Sequence, residues 1–365
     1  MTVYPYCYVT YNAYAKAYIL VIKDNINLLM TQRDMSNFVY VTLLMKGDSY
    51  VPGCLVLASS LRKVESKADI ICMVTPDVSA KARSVLAMLF TEVIPVDYIT
   101  TPDFKLPNES VQKHYGVMNT SLETKLRCLN LKGKLKDKQK QYEKVCLLDA
   151  DLLILKCMDN LFDLQAPAGT FHSYWLHGYH DPYPQNMKTG DSVPYSAIQE
   201  AFRRKKSYVV QTTVLLLPTT KPNGDDIFPD LEKYIQEFSG DTGELGLSNL
   251  LATMYDTVDD LTVSTYFKNW THIGQEYTCI PWRDNQAHPY VSHYYHNKPW
   301  TMHEADWPDL KPWFDEARRI CGNYPDAKQF FNFLVSTSSN EPHDNIEKRQ
   351  IKVDKLLQRL KLAFD

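Results

Sequence analysis

The segment Val145–Leu155 has the sequence VCLLDADLLIL, in which Asp149 and Asp151 stand between two apolar runs. The continuous apolar residues Val145–Leu148 predict a strand that is buried on both faces, as in a parallel sheet. Placing two carboxylates at the end of such a strand is costly unless a cation offsets their charge. A divalent metal ion with oxygen ligands meets that need. The alternative interpretation of the pair is a helix N-cap followed by a solvated turn.

Strands and helices alternate on the N-terminal side of this segment. The pattern predicts strands at Phe38–Met45, Ala68–Val74 and Glu92–Tyr98, and helices at Tyr50–Val64 and Val78–Phe90. Such alternation is typical of an α/β protein with an open, mostly parallel central sheet. Ligands of these sheets bind beyond the carboxyl ends of the strands, which is where the aspartate pair stands.

The C-terminal side is less regular. We predict a late strand at Val209–Leu217, an acceptor-side insertion in residues 165–208, and an irregular, aromatic-rich stretch in residues 256–300. Helical spacing of apolar residues predicts further helices at Ser121–Leu131, Phe228–Phe238, Ser248–Tyr255 and about Asn345–Phe364.

The chain divides into three parts on these patterns. Residues 1–34, rich in tyrosine, are expected to be an N-terminal extension without a catalytic role, and the alternative is an extra edge hairpin or a tyrosine-bearing acceptor tail. Residues 35–335 form the single α/β domain, and residues 336–365 form a helical C-terminal tail.

Composition excludes some classes of protein. The net charge of −3 and the pI near 6.4 lack the basic footprint of a nucleic-acid-binding protein. The charged run Lys132–Lys144 is therefore expected to be a solvated segment rather than a nucleic-acid patch.

No run of 18 uncharged apolar residues predicts a membrane span, and the start has no signal-peptide pattern. The eight cysteines include no CxxC pair and are expected to be reduced and buried. We therefore predict a cytoplasmic protein.

A second group of chemically active residues lies far along the chain. Residues 293–300 have the sequence HYYHNKPW. His293 could complete a mixed oxygen and nitrogen shell with the aspartates, which suits Mn²⁺ better than Ca²⁺. Lys298 could bind a phosphate as a point charge. The alternative is that His293 is a packed aromatic residue among tyrosines.

Several motifs occur together in a defined order. They are Val41-Thr42-Leu43, Asp48-Ser49-Tyr50, Gly53–Leu61, Val74-Thr75-Pro76, Thr124-Lys125-Leu126, Leu148–Asp151, Met158–Asp163 and Lys298-Pro299-Trp300. With them the chain resembles glycosyltransferase family 8, the glycogenin-like family, and is most similar to its viral p13-like branch. The resemblance runs from about Phe38 to Trp300 and so covers most of the chain.

The resemblance implies a GT-A (Rossmann-like) fold and a retaining transfer of a hexose, glucose or galactose, from a UDP-sugar. The acceptor would be a hydroxyl group of a carbohydrate or a protein. The cation would be Mn²⁺, with Mg²⁺ as the alternative. Family analogy also implies a homodimer, and a viral origin would place the protein in the host cytoplasm.

The resemblance also assigns roles by position. Tyr50 would stack on the uracil, and Asp149, Asp151 and His293 would hold the metal ion. The positions that would bind the UDP-sugar are Leu43, Tyr50, Lys125, Asp149, Ala150, Asp151, Gln211, His293 and Lys298. The two lysines of this set would hold the diphosphate and act in catalysis.

The sugar-binding half departs from the family pattern. Gln211-Thr212-Thr213 stands where Asn-Gly-Gly or Asn-Ser-Gly is usual, and two threonines narrow or reshape that pocket. An Asp-Gln pair is usual at the start of the next helix, and the ungapped match here is Leu247-Ser248-Asn249. Glu244 is the catalytic carboxylate that we expect to compensate, with Asp241 as the alternative.

These departures leave a second hypothesis open. It is a GT-A-fold protein that binds a nucleotide sugar but has reduced or lost transfer activity. A third, a sugar-1-phosphate nucleotidyltransferase, needs a glycine-rich phosphate loop after the first strand, and Lys46-Gly47-Asp48 is too poor in glycine for it.

Overall fold

A computed structural model describes residues 34–100, 121–171, 187–203, 209–237, 258–282, 288–295 and 298–334. The strands in these ranges are β1 (Phe38–Leu44), β2 (Asp69–Val74), β3 (Glu92–Pro95), β4 (Lys144–Leu148), β5 (Leu152–Ile154), β6 (Ala168–Phe171), β7 (Ser192–Val193), β8 (Val210–Pro218), β9 (Trp270–His272) and β10 (Val291–His293). The α-helices are α1 (Val51–Lys63), α2 (Ala80–Leu86), α3 (Tyr195–Arg203), α4 (Phe228–Glu237), α5 (Val258–Phe267) and α6 (Lys311–Asn323).

Eight of these described strands form one sheet in the order β3-β2-β1-β4-β8-β6-β9-β7. Strands β3, β2, β1 and β4 run parallel to one another, whereas β8 pairs antiparallel with both β4 and β6. The predicted α/β class with a mostly parallel central sheet is confirmed. The antiparallel β8 brings its start, rather than its end, to the carboxyl end of β4.

The core lies on both faces of the sheet. In β1, Phe38 and Tyr40 pack on one side while Val39 and Val41 pack on the other, because successive strand residues point to opposite faces. Helix α1 is buried from its first residue through Leu61, since it packs against β5 and α6 as well as the sheet. The 3₁₀ helix Leu122–Leu129 lies on the other face with α4 and α5.

Several predicted elements differ from those observed. The helix predicted at 78–90 is shorter (α2, Ala80–Leu86), because the Ser79 hydroxyl accepts a hydrogen bond from the Ala82 N–H at 3.1 Å and caps the helix there. The strand predicted at 92–98 ends at Pro95. The helix predicted at 121–131 is the 3₁₀ helix Leu122–Leu129.

The two stretches predicted to be irregular contain regular structure. Strands β6 and β7 and helix α3 lie within the predicted insertion 165–208, and α5, β9 and β10 lie within residues 256–300. The short length of these strands explains why no period-2 pattern is visible in the sequence. The predicted helices at 248–255 and 345–364, like nearly all of the extension 1–34 and the tail 336–365, lie outside the described residues.

Two further features concern the compartment prediction. The seven cysteines in the described ranges are free thiols. Cys157 is exposed and Cys321 is partly exposed, so the prediction of burial is wrong for these two residues. Within the same ranges, no helix combines the length and the hydrophobicity that crossing a bilayer requires.

The first turn of α1 packs directly on the aspartate pair. A Cβ atom at Gly53 would stand against the backbone oxygen of Ala150 and only 2.7 Å from a ring carbon of Trp300. Glycine is therefore required for the helix, the Asp149–Asp151 turn and the indole ring to meet.

We predict that Gly53→Ala destabilises the protein by about 2 kcal/mol, because neither the backbone oxygen nor the packed indole can give way cheaply. Thermal and denaturant unfolding measure this. Gly322→Ala is the matched control, since a Cβ there would meet no atom within 4 Å, and its stability should stay within about 0.5 kcal/mol of the wild type. Equal effects of the two substitutions would contradict the packing described.

Candidate active site

Three chain segments converge at the carboxyl end of β4. The Asp149 N–H donates to the Thr213 carbonyl of β8 at 3.0 Å, and the Tyr294 N–H donates to the Asp151 carbonyl at 3.0 Å. Strand β10 pairs antiparallel with β5, so that His293 lies opposite Leu152. This pairing is the reason that a histidine more than a hundred residues away stands beside the aspartates.

Asp149, Asp151 and His293 form a candidate metal centre. Each can offer one ligand atom, and these three atoms lie within 4.8 Å of one another. Asp151 and His293 are buried, whereas Asp149 is partly exposed. The predicted metal-ligand set is therefore brought together in space.

The surroundings of Asp151 fit a cation. Its Oδ1 is buried, accepts no hydrogen bond from any described residue, and lies 3.6 Å from the His293 Nε2. Burial disfavours the charged carboxylate, yet the charges of Lys298 and His293 outweigh burial and hold the pKa of Asp151 below its usual value. Two carboxylates and one imidazole form the mixed oxygen and nitrogen donor set that suits Mn²⁺.

A lysine contacts each of the two aspartates. The Lys298 ammonium pairs with the Oδ2 of Asp151, and the Lys125 ammonium lies 3.0 Å from the Oδ1 of Asp149. Burial opposes the charge of Lys125, but Asp149 and Asp259 outweigh it and raise its pKa. The pKa of Lys298 is raised in the same way, by Asp151 against burial. Both ammonium groups are therefore charged at neutral pH.

Lys125 also contacts Thr212 and an aspartate, Asp259, that no sequence motif indicated. Its ammonium lies 3.1 Å from the Oδ2 of Asp259 and donates to the Thr212 hydroxyl at 3.1 Å. The Thr212 hydroxyl donates to Asp259 at 2.7 Å, and its N–H donates to the Oδ1 of Asp260 at 2.8 Å. Asp259 and Asp260 lie in the first turn of α5.

The structure thus describes two adjacent carboxylates, Asp259 and Asp260, at the start of α5 beside β8. The sequence match for the Asp-Gln position, Leu247-Ser248-Asn249, lies outside the described residues and stays a prediction. Two adjacent aspartates before an apolar helical stretch were the available signal. Glu244 and Asp241 lie outside the described residues.

The remaining predicted nucleotide-binding residues surround this centre. Tyr50 precedes α1, and its ring packs edge-on against Trp300 with centroids 5.1 Å apart. Leu43 lies near the end of β1, Ala150 is buried under Gly53, and Gln211 lies near the start of β8. Their contacts with a nucleotide stay a prediction.

Glu123 is a further buried carboxyl group beside this cluster. It is fully buried on the same 3₁₀ helix as Lys125, and neither of its oxygens accepts a hydrogen bond from a described residue. Burial, reinforced by the charge of Asp259, raises its pKa to about 8 from an ordinary value of 4.5, although Lys125 pulls it down. Folded Glu123 is therefore protonated through the neutral range.

Because folded Glu123 keeps its proton up to about pH 8, the folded state binds one more proton than the unfolded state between about pH 4.5 and 8. Its contribution to stability is lost as the pH rises through that window. We predict that Glu123→Gln raises the free energy of unfolding by roughly 2 kcal/mol at pH 8 and by much less at pH 5. Denaturant unfolding at the two pH values measures this. The control is Glu65→Gln, at an exposed glutamate, for which we expect no pH-dependent increase in the free energy of unfolding. An increase for Glu123→Gln that is the same at both pH values would refute the conclusion that folded Glu123 is protonated.

Comparisons with known proteins agree with the family resemblance. No family model matches the chain. An uncharacterized protein of Acanthamoeba polyphaga mimivirus is 28% identical over 333 residues, which cover 87% of this chain and 99% of the viral protein. Human glycogenin-1 is 36% identical over 129 residues, 35% of this chain and 33% of glycogenin-1. Galactinol synthase 7 of Arabidopsis thaliana is 32% identical over 126 residues, 34% of each chain.

These sequence matches confirm the predicted similarity to glycogenin-like glycosyltransferases, and a viral relative matches along nearly its whole length. The chain spans only about a third of the glycogenin and galactinol synthase that it matches.

Among solved structures, galactosyltransferase LgtC in complex with donor and acceptor sugar analogs is 14% identical with a TM-score of 0.47, covering 77% of this chain and 95% of LgtC. Mouse xyloside xylosyltransferase 1 is 12% identical with a TM-score of 0.37, and the match covers 72% of this chain and 99% of the mouse enzyme. This structural likeness is too low to carry an argument.

Proposed function

We propose that this chain, a relative of the glycogenins and galactinol synthases, is a retaining GT-A glycosyltransferase that moves a hexose from a UDP-sugar to a hydroxyl acceptor. The observation that carries the proposal is the convergence of Asp149, Asp151 and His293 with a charged lysine on each aspartate. That arrangement fits a divalent cation bound to a diphosphate. Mn²⁺ is the proposed ion, with Mg²⁺ as the alternative.

The chain's own residues account for most of the chemistry. Asp149, Asp151 and His293 would hold the ion, which supplies positive charge to the departing diphosphate when bound. Lys125 and Lys298 are preorganised cations that stabilise the negative charge as the bond from the sugar to the β-phosphate breaks. The sugar carbon passes through an oxocarbenium-like state, as in other glycosyl transfers. A leaving phosphate oxygen takes the acceptor proton, so the proposal requires no separate base.

The sugar half of the proposed site is built around Lys125. Asp259 and Asp260 are carboxylates that suit hydrogen bonds to the hydroxyl groups of a hexose, glucose or galactose, and Thr212 holds both of them through its hydroxyl and its N–H. The argument for a nucleotide-sugar-binding protein without transfer activity was the lack of such carboxylates. Their presence in the first turn of α5 favours the enzyme.

The proposed acceptor is a hydroxyl group of a carbohydrate or a protein. We also propose that the protein forms a homodimer and acts in the cytoplasm, which is the host cytoplasm for a viral protein. The proposed domain division is an N-terminal extension, one α/β domain and a C-terminal tail.

The central test is Asp151→Asn. The substitution removes a carboxylate charge from the metal centre, so we expect Mn²⁺-dependent release of UDP from UDP-glucose or UDP-galactose to fall by at least about a hundredfold. A coupled assay for UDP measures this, with and without Mn²⁺. Asp137→Asn removes a carboxylate from an exposed turn and should leave the rate unchanged. Wild-type protein that binds UDP with Mn²⁺ but turns over neither donor would instead support the binding protein.

The sugar half is tested by Asp259→Asn. This change removes a proposed contact to the donor sugar but leaves Lys125 available to the diphosphate. We therefore expect turnover to fall by about a hundredfold while the affinity for UDP with Mn²⁺ stays the same or increases. Steady-state kinetics and calorimetry with UDP measure the two quantities. Equal losses in turnover and UDP affinity would show that Asp259 acts on the nucleotide and not on the sugar.

A further inference from the structure

Lys298 shares a carboxylate with the candidate metal centre. Resting on the proposed function, we propose that Lys298 is the residue through which the binding of a divalent cation and the binding of a diphosphate favour each other. The cation would share Asp151 with the lysine, and the diphosphate would provide the second anion that the two positive charges then need.

The first step of the argument is competition at Asp151. One oxygen of this carboxylate, Oδ2, pairs with the Lys298 ammonium, and the other, Oδ1, faces His293 at 3.6 Å. A cation held by Asp151 and His293 would therefore lie within a few ångströms of a second positive charge. Asp151 is buried, so solvent screens this repulsion poorly. In the absence of a diphosphate, repulsion from the Lys298 ammonium therefore weakens the binding of an ion.

The second step is a difference between the two lysines. Lys125 contacts Asp149, Asp259 and the Thr212 hydroxyl, so it keeps a carboxylate partner when an ion takes Asp149. Lys298 contacts one carboxylate, and its other contacts are the Tyr294 carbonyl at 3.3 Å and the face of Tyr50 at 6.0 Å. An ion on the Oδ1 of Asp151 would therefore leave Lys298 sharing the one carboxylate that it contacts with a second cation.

The third step is the freedom of Lys298 to move. Its side chain is 19% exposed, compared with 12% for Lys125, and the residue lies before a short 3₁₀ helix rather than within one. Trp300, packed on Gly53 and Tyr50, anchors the backbone two residues away. In this proposal the lysine side chain turns toward a neighbouring phosphate while the backbone stays in place.

Together these contacts make the two ligands interdependent. A diphosphate alone meets a lysine already paired with Asp151, and a cation alone meets a carboxylate already paired with Lys298. When both are present, the cation takes the carboxylate and the lysine takes a phosphate oxygen. By linkage, each ligand must tighten the other by the same factor.

The test is calorimetric titration of the full chain with Mn²⁺, with and without saturating UDP. For the wild type we expect UDP to tighten Mn²⁺ binding by about a hundredfold. In Lys298→Met, Mn²⁺ alone should bind about tenfold more tightly than in the wild type, and the tightening by UDP should shrink by about tenfold or more. Lys298→Gln serves as the second neutral variant should the first fail to fold, and Lys298→Arg, which keeps the charge, should retain the wild-type coupling.

Lys156→Met is the charge control. It removes the same charge from a partly exposed lysine whose ammonium donates to the His288 carbonyl, so Mn²⁺ should bind as in the wild type, with and without UDP. Unchanged Mn²⁺ affinity and unchanged tightening by UDP in the neutral Lys298 variants would overturn this inference and leave the proposed function standing. A wild-type chain that binds no Mn²⁺ even with UDP would overturn the proposed function itself.

Discussion

The charge balance at the end of β4 is the constraint on which this site depends. Two carboxylates follow a strand buried on both faces, and only nearby cations offset the free energy of placing them there. Lys125 and Lys298 supply that charge from two different parts of the chain. The same lysines are the proposed diphosphate ligands, so the interactions that stabilise the fold here also prepare the site for its substrate.

The strand pairing around this centre places its third ligand. Strand β5 continues directly from the aspartates, and its antiparallel pairing with β10 puts His293 against them. The backbone hydrogen bond from Tyr294 to Asp151 sets the register. A shift of one residue would turn His293 to the opposite face, because strand side chains alternate. The candidate metal centre thus depends on a two-stranded pairing outside the main sheet.

The region around Lys125 holds an excess of negative charge. Asp149, Asp259 and Asp260 surround one lysine, and Glu123 lies on the same 3₁₀ helix in its protonated form. A neutral Glu123 limits the repulsion among these carboxyl groups. The remaining charge suits a site that offers hydrogen-bond acceptors to sugar hydroxyls on one side and cations to a diphosphate on the other.

Local patterns were sufficient for the strands β1, β2 and β4, for helix α1 and for the aspartate pair, because hydrophobic periodicity and an isolated charged motif are read within a few residues. The sequence also pointed to His293 and Lys298, although only through family resemblance and residue chemistry. Asp259 and Asp260 were missed, since no local pattern shows that α5 packs against β8 beside Lys125. Glu123 was missed because a buried glutamate looks like any other glutamate in a sequence. Which distant side chains meet, and which of them lose contact with water, depended on strand pairing and packing between segments that have no shared local signal.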